Sequence, residues 1–244
     1  MNISGSGKIA AGEYNEKITV SGSGKLCGNV RCIALRCSGS VKAEGAVTCS
    51  EEVEVSGSCH IAQSVTAKTV SASGSLRIEG DMTAEDKIKA SGSLDCEGNI
   101  KCATLKCSGS VSAGREIAAE EIRISGRVKC AGLMNAEKIE IDMSGASMTS
   151  SIGSIGGSEI KVYNSNGGKA ISRMPLLKHI VGGGGSLRVD ELIEGDVIAL
   201  EYVTSPKVVG RIVAIGEGCD VELLQYSEKV EIHPSAKVGR SEKI

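Results

Sequence analysis

The chain has 244 residues with 28 basic and 30 acidic side chains, a formal charge of −2, so the molecule as a whole carries no bias toward nucleic acid or an anionic membrane. It has 32 glycines, ten cysteines and four tyrosines but no phenylalanine and no tryptophan, a composition that suits a narrow core. No apolar run is long enough to span a bilayer and Met1 to Tyr14 does not read as a signal peptide, so a cytoplasmic location is expected.

From the first residues onward the dipeptide Ser-Gly recurs, with glycines at Gly5, Gly22, Gly39, Gly57, Gly74, Gly92, Gly109, Gly126 and Gly145, at intervals of 17, 17, 18, 17, 18, 17, 17 and 19 residues. A fixed short period marks a solenoid, and this one is too short for a helical pair but fits one coil of a parallel β-helix. Within the period, apolar residues fall in alternating pairs. The coil from Ser38 has Val41 with Ala43, Val47 with Cys49, and Val53 with Val55. The coil from Ser91 has Leu94 with Cys96, Ile100 with Cys102, and Leu105 with Cys107. Period-two alternation places each pair on the inner face of a short strand and sends Lys42, Glu54, Asp95, Lys101, Lys106 and Arg123 outward. Three such strands per coil predict an all-β solenoid of triangular cross-section, in which 17- and 18-residue coils differ by one residue at one corner.

Stacked coils align like residues into columns. One reads Val30, Val47, Val65, Met82, Ile100, Ile117 and Met134; another reads Ile18, Leu35, Val53, Val70, Ile88, Leu105, Ile122 and Ile139. On this reading residues 1–148 form a regular β-helix of about eight coils, a rod of roughly 40 Å at the usual strand spacing. Residues 149–186 read as a Gly/Ser-rich insertion, with a strand at Ile160 to Tyr163. Inside it ISRMPLLKHIV is basic and apolar, and Met174, Leu176, Leu177, Lys178 and Ile180 make a candidate membrane or partner segment. Pro175 interrupts that stretch, and a loop with one helical turn packed on the rod is the simpler reading. The steps return after Val208 (Val213 with Ile215, Cys219 with Val221, Leu224 with Tyr226, Val230 with Ile232), so 187–240 reads as a resumed β-helix of about three coils and 241–244 as a polar tail.

Candidate chemistry is sparse. Eight cysteines (Cys32, Cys37, Cys49, Cys59, Cys96, Cys102, Cys107, Cys130) fall on inward positions and read as free thiols serving as small buried hydrophobes, without a Cys-x-x-Cys or zinc spacing. Three histidines, His60, His179 and His233, leave few general bases. Neither a cofactor nor a metal is expected. IGEGCDV at Ile215 to Val221 looks like a hexapeptide-repeat acyltransferase motif, although the step drops to five where such enzymes keep six. Glu51, Glu52, Glu120 and Glu121 could form a carbohydrate-active cleft, but they sit at corners where solvated charge is the default. An adhesion or ice-binding solenoid would show an outward Thr ladder, and the outward residues here are mixed.

The SGS corners, the inward aliphatic pairs, the start NISGSGKIAAGEYNEKITVSGSG and the later EGDVIALEYVTSPKVVGRIVAIGEGCDVELLQY together resemble the bactofilins, in the longer form found in Gram-positive bacteria. The resemblance covers Asn2 to Ile141 and Leu187 to Val238. It implies a right-handed parallel β-helix and a polymer-forming bacterial cytoskeletal protein without enzymatic activity. Its partners would be further copies of itself, a paralogous bactofilin or membrane-associated proteins, and its filaments would lack polarity. Many family members bind membrane through a disordered N-terminal tail; here the repeat begins at once, so attachment of that kind is not expected.

A solenoid of this kind has apolar faces at its two ends, because a lone coil cannot offset the entropy of ordering its backbone and must be covered by a neighbour. Before Ile3 there is no amphipathic capping helix, and after Val238 only Gly239 to Ile244 follows. The expectation is an end-to-end, nucleotide-independent filament jointed at Ile3, Ile9 and Tyr14 on one terminal coil and at Val230, Ile232 and Val238 on the other.

Overall fold

Glycine at the Ser-Gly corner is dictated by how closely successive coils approach. In a computed structural model, which describes residues 1–145, 149–165 and 185–244, a Cβ placed on Gly39 would lie 2.0 Å from the Gly22 carbonyl oxygen. The same collision, at 2.0 to 2.1 Å, would occur at Gly57, Gly74, Gly92 and Gly109 against the corresponding carbonyl one coil back. Those carbonyls are occupied. Ser40 N–H donates to Gly22 O, Ser58 to Gly39 and Ser75 to Gly57, each at 2.9 Å. The Ser-Gly-Ser triplet is therefore a stitched corner in which the glycine makes room and the following serine amide makes the bond.

The chain divides into two units, Met1–Ala118 and Ala119–Ile244. Both are parallel β-solenoids, and among the described residues the sole helical element is the short 3-10 turn Met143–Gly145. In Met1–Ala118 neighbouring strands run in register from coil to coil. Val30, Val47, Val65, Met82, Ile100 and Ile117 form one inner column. Ile18, Leu35, Val53, Val70, Ile88 and Leu105 form a second, and Val41, Cys59, Leu76, Leu94 and Val111 a third. All of them are buried, and the strands read buried, exposed, buried as period-two alternation requires. Three inner columns, one on each side of the coil, make the expected triangular core. The sheets are numbered in chain order within a coil, so that the Val41, Val30 and Ile18 columns line the first, second and third. The extra residue of the longer coils is absorbed at the corner between the second and third sheets, where register shifts fall at Cys32/Ala34, Thr48/Glu52 and Ala67/Thr69. A second corner is stitched by side chains: Asn29 Oδ1 accepts from Ala46 N at 2.9 Å, and Asp81 Oδ1 from Asn99 N at 2.7 Å.

In Ala119–Ile244 the same plan holds with wider strands. Ile122, Ile139, Ile160, Ile198, Val213 and Val230 form one column, and Ile124, Ile141, Val162, Leu200, Ile215 and Ile232 another. The segment read as the start of an insertion differs from expectation. Ser150–Tyr163 is one continuous strand, paired with Arg127–Asp142 on one side and Leu187–Leu200 on the other. Its glycines are positions of close approach: a Cβ on Gly157 would lie 2.3 Å from Ala136 O, and one on Gly195 2.3 Å from Gly157 O. Ile152, Ile155, Ile160 and Val162 still point inward and are buried. The candidate segment Met174, Leu176, Leu177, Lys178 and Ile180 lies outside the described residues.

The corner geometry yields a paired prediction. Gly57→Ala drives a methyl group into the Gly39 carbonyl, which cannot turn away without breaking the bond it accepts from Ser58, and should destabilise the protein by about 1 to 3 kcal/mol or more, the range for overpacking. Gly5→Ala, where nothing lies within 4 Å, should be close to neutral. Thermal unfolding of the two variants reads the difference, and equal midpoints would refute the steric account of the repeat.

Candidate functional site

The surfaces marked by the sequence are the first coil of one unit and the last coil of the other. In the first coil, inward positions that carry valine and cysteine further along are replaced. Gly7 and Gly12 stand in register with Gly24 and Val30, and Tyr14 with Cys32. The space over Gly7 is filled by Ile3, whose side-chain carbons lie 3.1 to 3.4 Å from where a Cβ would be. The ring of Tyr14 bends over Gly12, and its hydroxyl donates to Ala10 O at 2.9 Å. Ile3 and Tyr14 are half-buried, while Ile9 is 2% exposed and belongs to the interior. This end is thus plugged by its own side chains, and Ile9 lies beneath the surface rather than on it.

The last coil is more open. Lys237–Lys243 runs parallel to Asp220–Ile232 but pairs only from Asp220 to Tyr226. Lys229 to Ile232 pair on one side with Ile212 to Ile215, and no described residue forms a strand on the other. Here the aliphatic columns reach the surface: Ile232 is 41% exposed, and Val230 and Val238 are half-buried. Lys229 Nζ meets Glu231 Oε1 at 2.6 Å, and the second carboxylate oxygen of Glu231 is buried without a hydrogen-bond partner.

Candidate chemical groups are taken up by structure. All ten cysteines are free thiols, nine buried and Cys27 half-buried. Cys32 and Cys49 touch at 3.5 Å. Burial pushes the Cys96 thiol up to about 11 and those of Cys102 and Cys219 up to about 12, away from nucleophilic use. His60 meets Glu79 at 2.9 Å and His233 bonds Ser235 at 2.8 Å, while His179 lies outside the described residues. Glu51 pairs with Lys17, Glu52 with Arg36 and Glu121 with Arg123 across or along exposed strands. Among the described residues no three metal-binding side chains converge, and no helix is long and apolar enough to cross a membrane.

The IGEGC string is a corner whose glycines make room for neighbours. A Cβ on Gly216 would strike Glu201 Cγ at 2.6 Å, and one on Gly218, itself at φ +69°, would strike the Tyr202 ring at 2.5 Å. Tyr202 is held in the left-handed region at φ +54°, unusual for an aromatic residue. Glu201 is 5% exposed with one carboxylate oxygen unpartnered. The sequence did not mark it, because in IALEYV it occupies an ordinary outward position; only the folding of its side chain over Gly216 buries it.

No family model matches the chain, and no solved structure matches it. The uncharacterized protein YhbE of Bacillus subtilis (strain 168) is similar to it, 33% identical over 119 residues that make up 48% of this chain and 45% of YhbE. The chain thus spans less than half the length of that relative.

Burial, reinforced by the charge of Glu217, pushes the Glu201 carboxyl up to about 7 from 4.5. The folded protein therefore holds a proton there that the unfolded chain releases. Stability from this group is complete below about pH 4.5 and is lost as pH rises through 7. The loss is on the order of 3 kcal/mol. Unfolding measured from pH 4.5 to 8 should show Glu201→Gln gaining on the parent protein as pH rises, and parallel curves would exclude a buried, proton-holding Glu201.

Proposed function

We propose that the chain is a structural scaffold protein that assembles end to end into filaments without nucleotide, as its resemblance to the bactofilins implies. The observation that carries this reading is the open edge Lys229 to Ile232, where hydrogen-bonding backbone and emerging aliphatic columns coincide. A strand edge of this kind is a template for pairing with another chain. A second copy brought up antiparallel about Val230 sets Val230 against its own equivalent and Lys229 against Glu231, so the edge is complementary to itself in charge as well as in shape. Such a contact is isologous, and joints of that type give a filament without polarity.

The first coil of Met1–Ala118, plugged by Ile3 and Tyr14, makes the weaker joint. Alternative enzymatic readings draw little support from the corners, whose glycines answer to Glu201 and Tyr202 and where Glu51, Glu52 and Glu121 are engaged with lysine and arginine.

Negative-stain microscopy of the purified chain without nucleotide should show filaments. Val230→Arg or Ile232→Glu places a charge without a partner in the joint, and should abolish long filaments while leaving the unfolding midpoint within a few degrees of the parent. Filaments of undiminished length in both variants would overturn this choice of joint, and a discrete trimer of the parent protein would point to an acyltransferase-like assembly instead.

A further inference from the structure

The outward face of the first sheet in Met1–Ala118 carries one basic side chain per coil through five coils. Lys8, Lys25, Lys42, His60 and Arg77 are successive register partners, and at the usual strand spacing the column is about 19 Å long. Its two halves differ in compensation. Glu79 meets His60 at 2.9 Å, while Glu97 and Asp95 meet Arg77 at 2.6 and 3.7 Å. Among the three lysines, Lys25 alone has a counter-charge, Glu44 at 2.5 Å; Lys8 and Lys42 are exposed and form no ion pair among the described residues. Three lysines less one glutamate leave two uncompensated positive charges.

Beside the lysines runs a second column. Ser6, Ser23 and Ser40 are exposed, stand in register with one another, and with the lysines border a groove of about 500 Å³. Each coil thus presents an ammonium, which only donates, and a hydroxyl, which donates or accepts. An array rich in donors and repeated at a fixed rise suits oxyanions that are themselves repeated along a line.

We propose that this groove binds a linear phosphate polyanion of the polyphosphate type, laid along the stacked coils. A flat anionic surface fits less well, because the cationic strip is one side chain wide and the next outward column contains Ala10, Cys27 and the acidic Glu44. A nucleic acid read through its bases would need aromatic platforms, and no aromatic side chain lines the groove. Recognition is therefore through phosphate and ammonium contacts alone, indifferent to sequence and sensitive to salt.

The test uses the full chain and fluorescently labelled inorganic polyphosphate, titrated over a series of salt concentrations. Three lysine contacts predict a slope of log affinity against log salt of roughly −2. Lys8→Gln combined with Lys42→Gln should weaken binding tenfold or more at low salt and reduce the slope to about −1. The control is Lys89→Gln with Lys106→Gln, a stacked pair on the third sheet that lies outside the groove, and it should bind as the parent does. Equal losses in the two double variants, or no binding by the parent at low salt, would overturn the proposal. So would capture by vesicles of anionic lipid that depends on Lys8 and Lys42 while polyphosphate fails to bind.

Discussion

The bond from the serine amide of one corner to the glycine carbonyl of the coil before it, as from Ser58 to Gly39, is the constraint on which the rest of the structure depends. It holds successive corners so close that no Cβ fits between them. Once the corners are superposed, the strands between them have little freedom to slip, because a shift of one residue would turn every inward side chain to solvent. The columns of Val, Ile and Leu follow from the superposition, as does tolerance of an extra residue at the corner between the second and third sheets, where no glycine carbonyl is being matched.

Stacking has a second consequence, on the outside. A residue pointing outward in one coil is placed beside its equivalent in the next, so surface charges meet across coils: Arg36 with Glu52 and Glu54, Arg77 with Asp95 and Glu97. Exposed pairs of this kind contribute about 0 to 1 kcal/mol each, so their arrangement is a weak stabiliser and a stronger determinant of where positive charge stays uncompensated. Lys8 and Lys42 are left that way because the one carboxylate beside this column, Glu44, is engaged by Lys25. The same logic inside the molecule sets the chemistry of the thiols. A prism with room for mid-sized aliphatics and no aromatic ring leaves Cys96 and Cys102 without water, which keeps them protonated.

The two terminal coils show how a solenoid changes where repetition stops. At one end the inward residues shrink to Gly7 and Gly12, and the vacated space is taken by Ile3 and Tyr14 from the same coil. At the other, the column of Ile155, Ile193, Val208 and Leu224 passes to Ser241, and the covering strand ends at Lys243 before reaching Val230. The first coil of Met1–Ala118 is thus a plug, and the last coil of Ala119–Ile244 an edge.

Taken alone, the sequence determined the coil length, the inward and outward assignment of nearly every residue from Ile18 to Ile141, and the position of the variable corner, because alternation and period are properties of the backbone that side chains record locally. Tertiary structure alone decided the rest. Of Ser150–Tyr163 only Ile160 to Tyr163 reads as a strand, the rest as Gly/Ser-rich insertion, and the whole is a strand because its glycines lie under carbonyls of the neighbouring coil. Glu201 reads as a surface carboxylate and is buried because Gly216, fifteen residues on, vacates the space above it. Ile9 and Ile232 read as equivalent apolar ends, and only the folding of Ile3 and Tyr14 over the first coil separates them. In each case the deciding contact comes from a neighbouring turn of chain, and a pattern read along one strand does not contain the distance to the next.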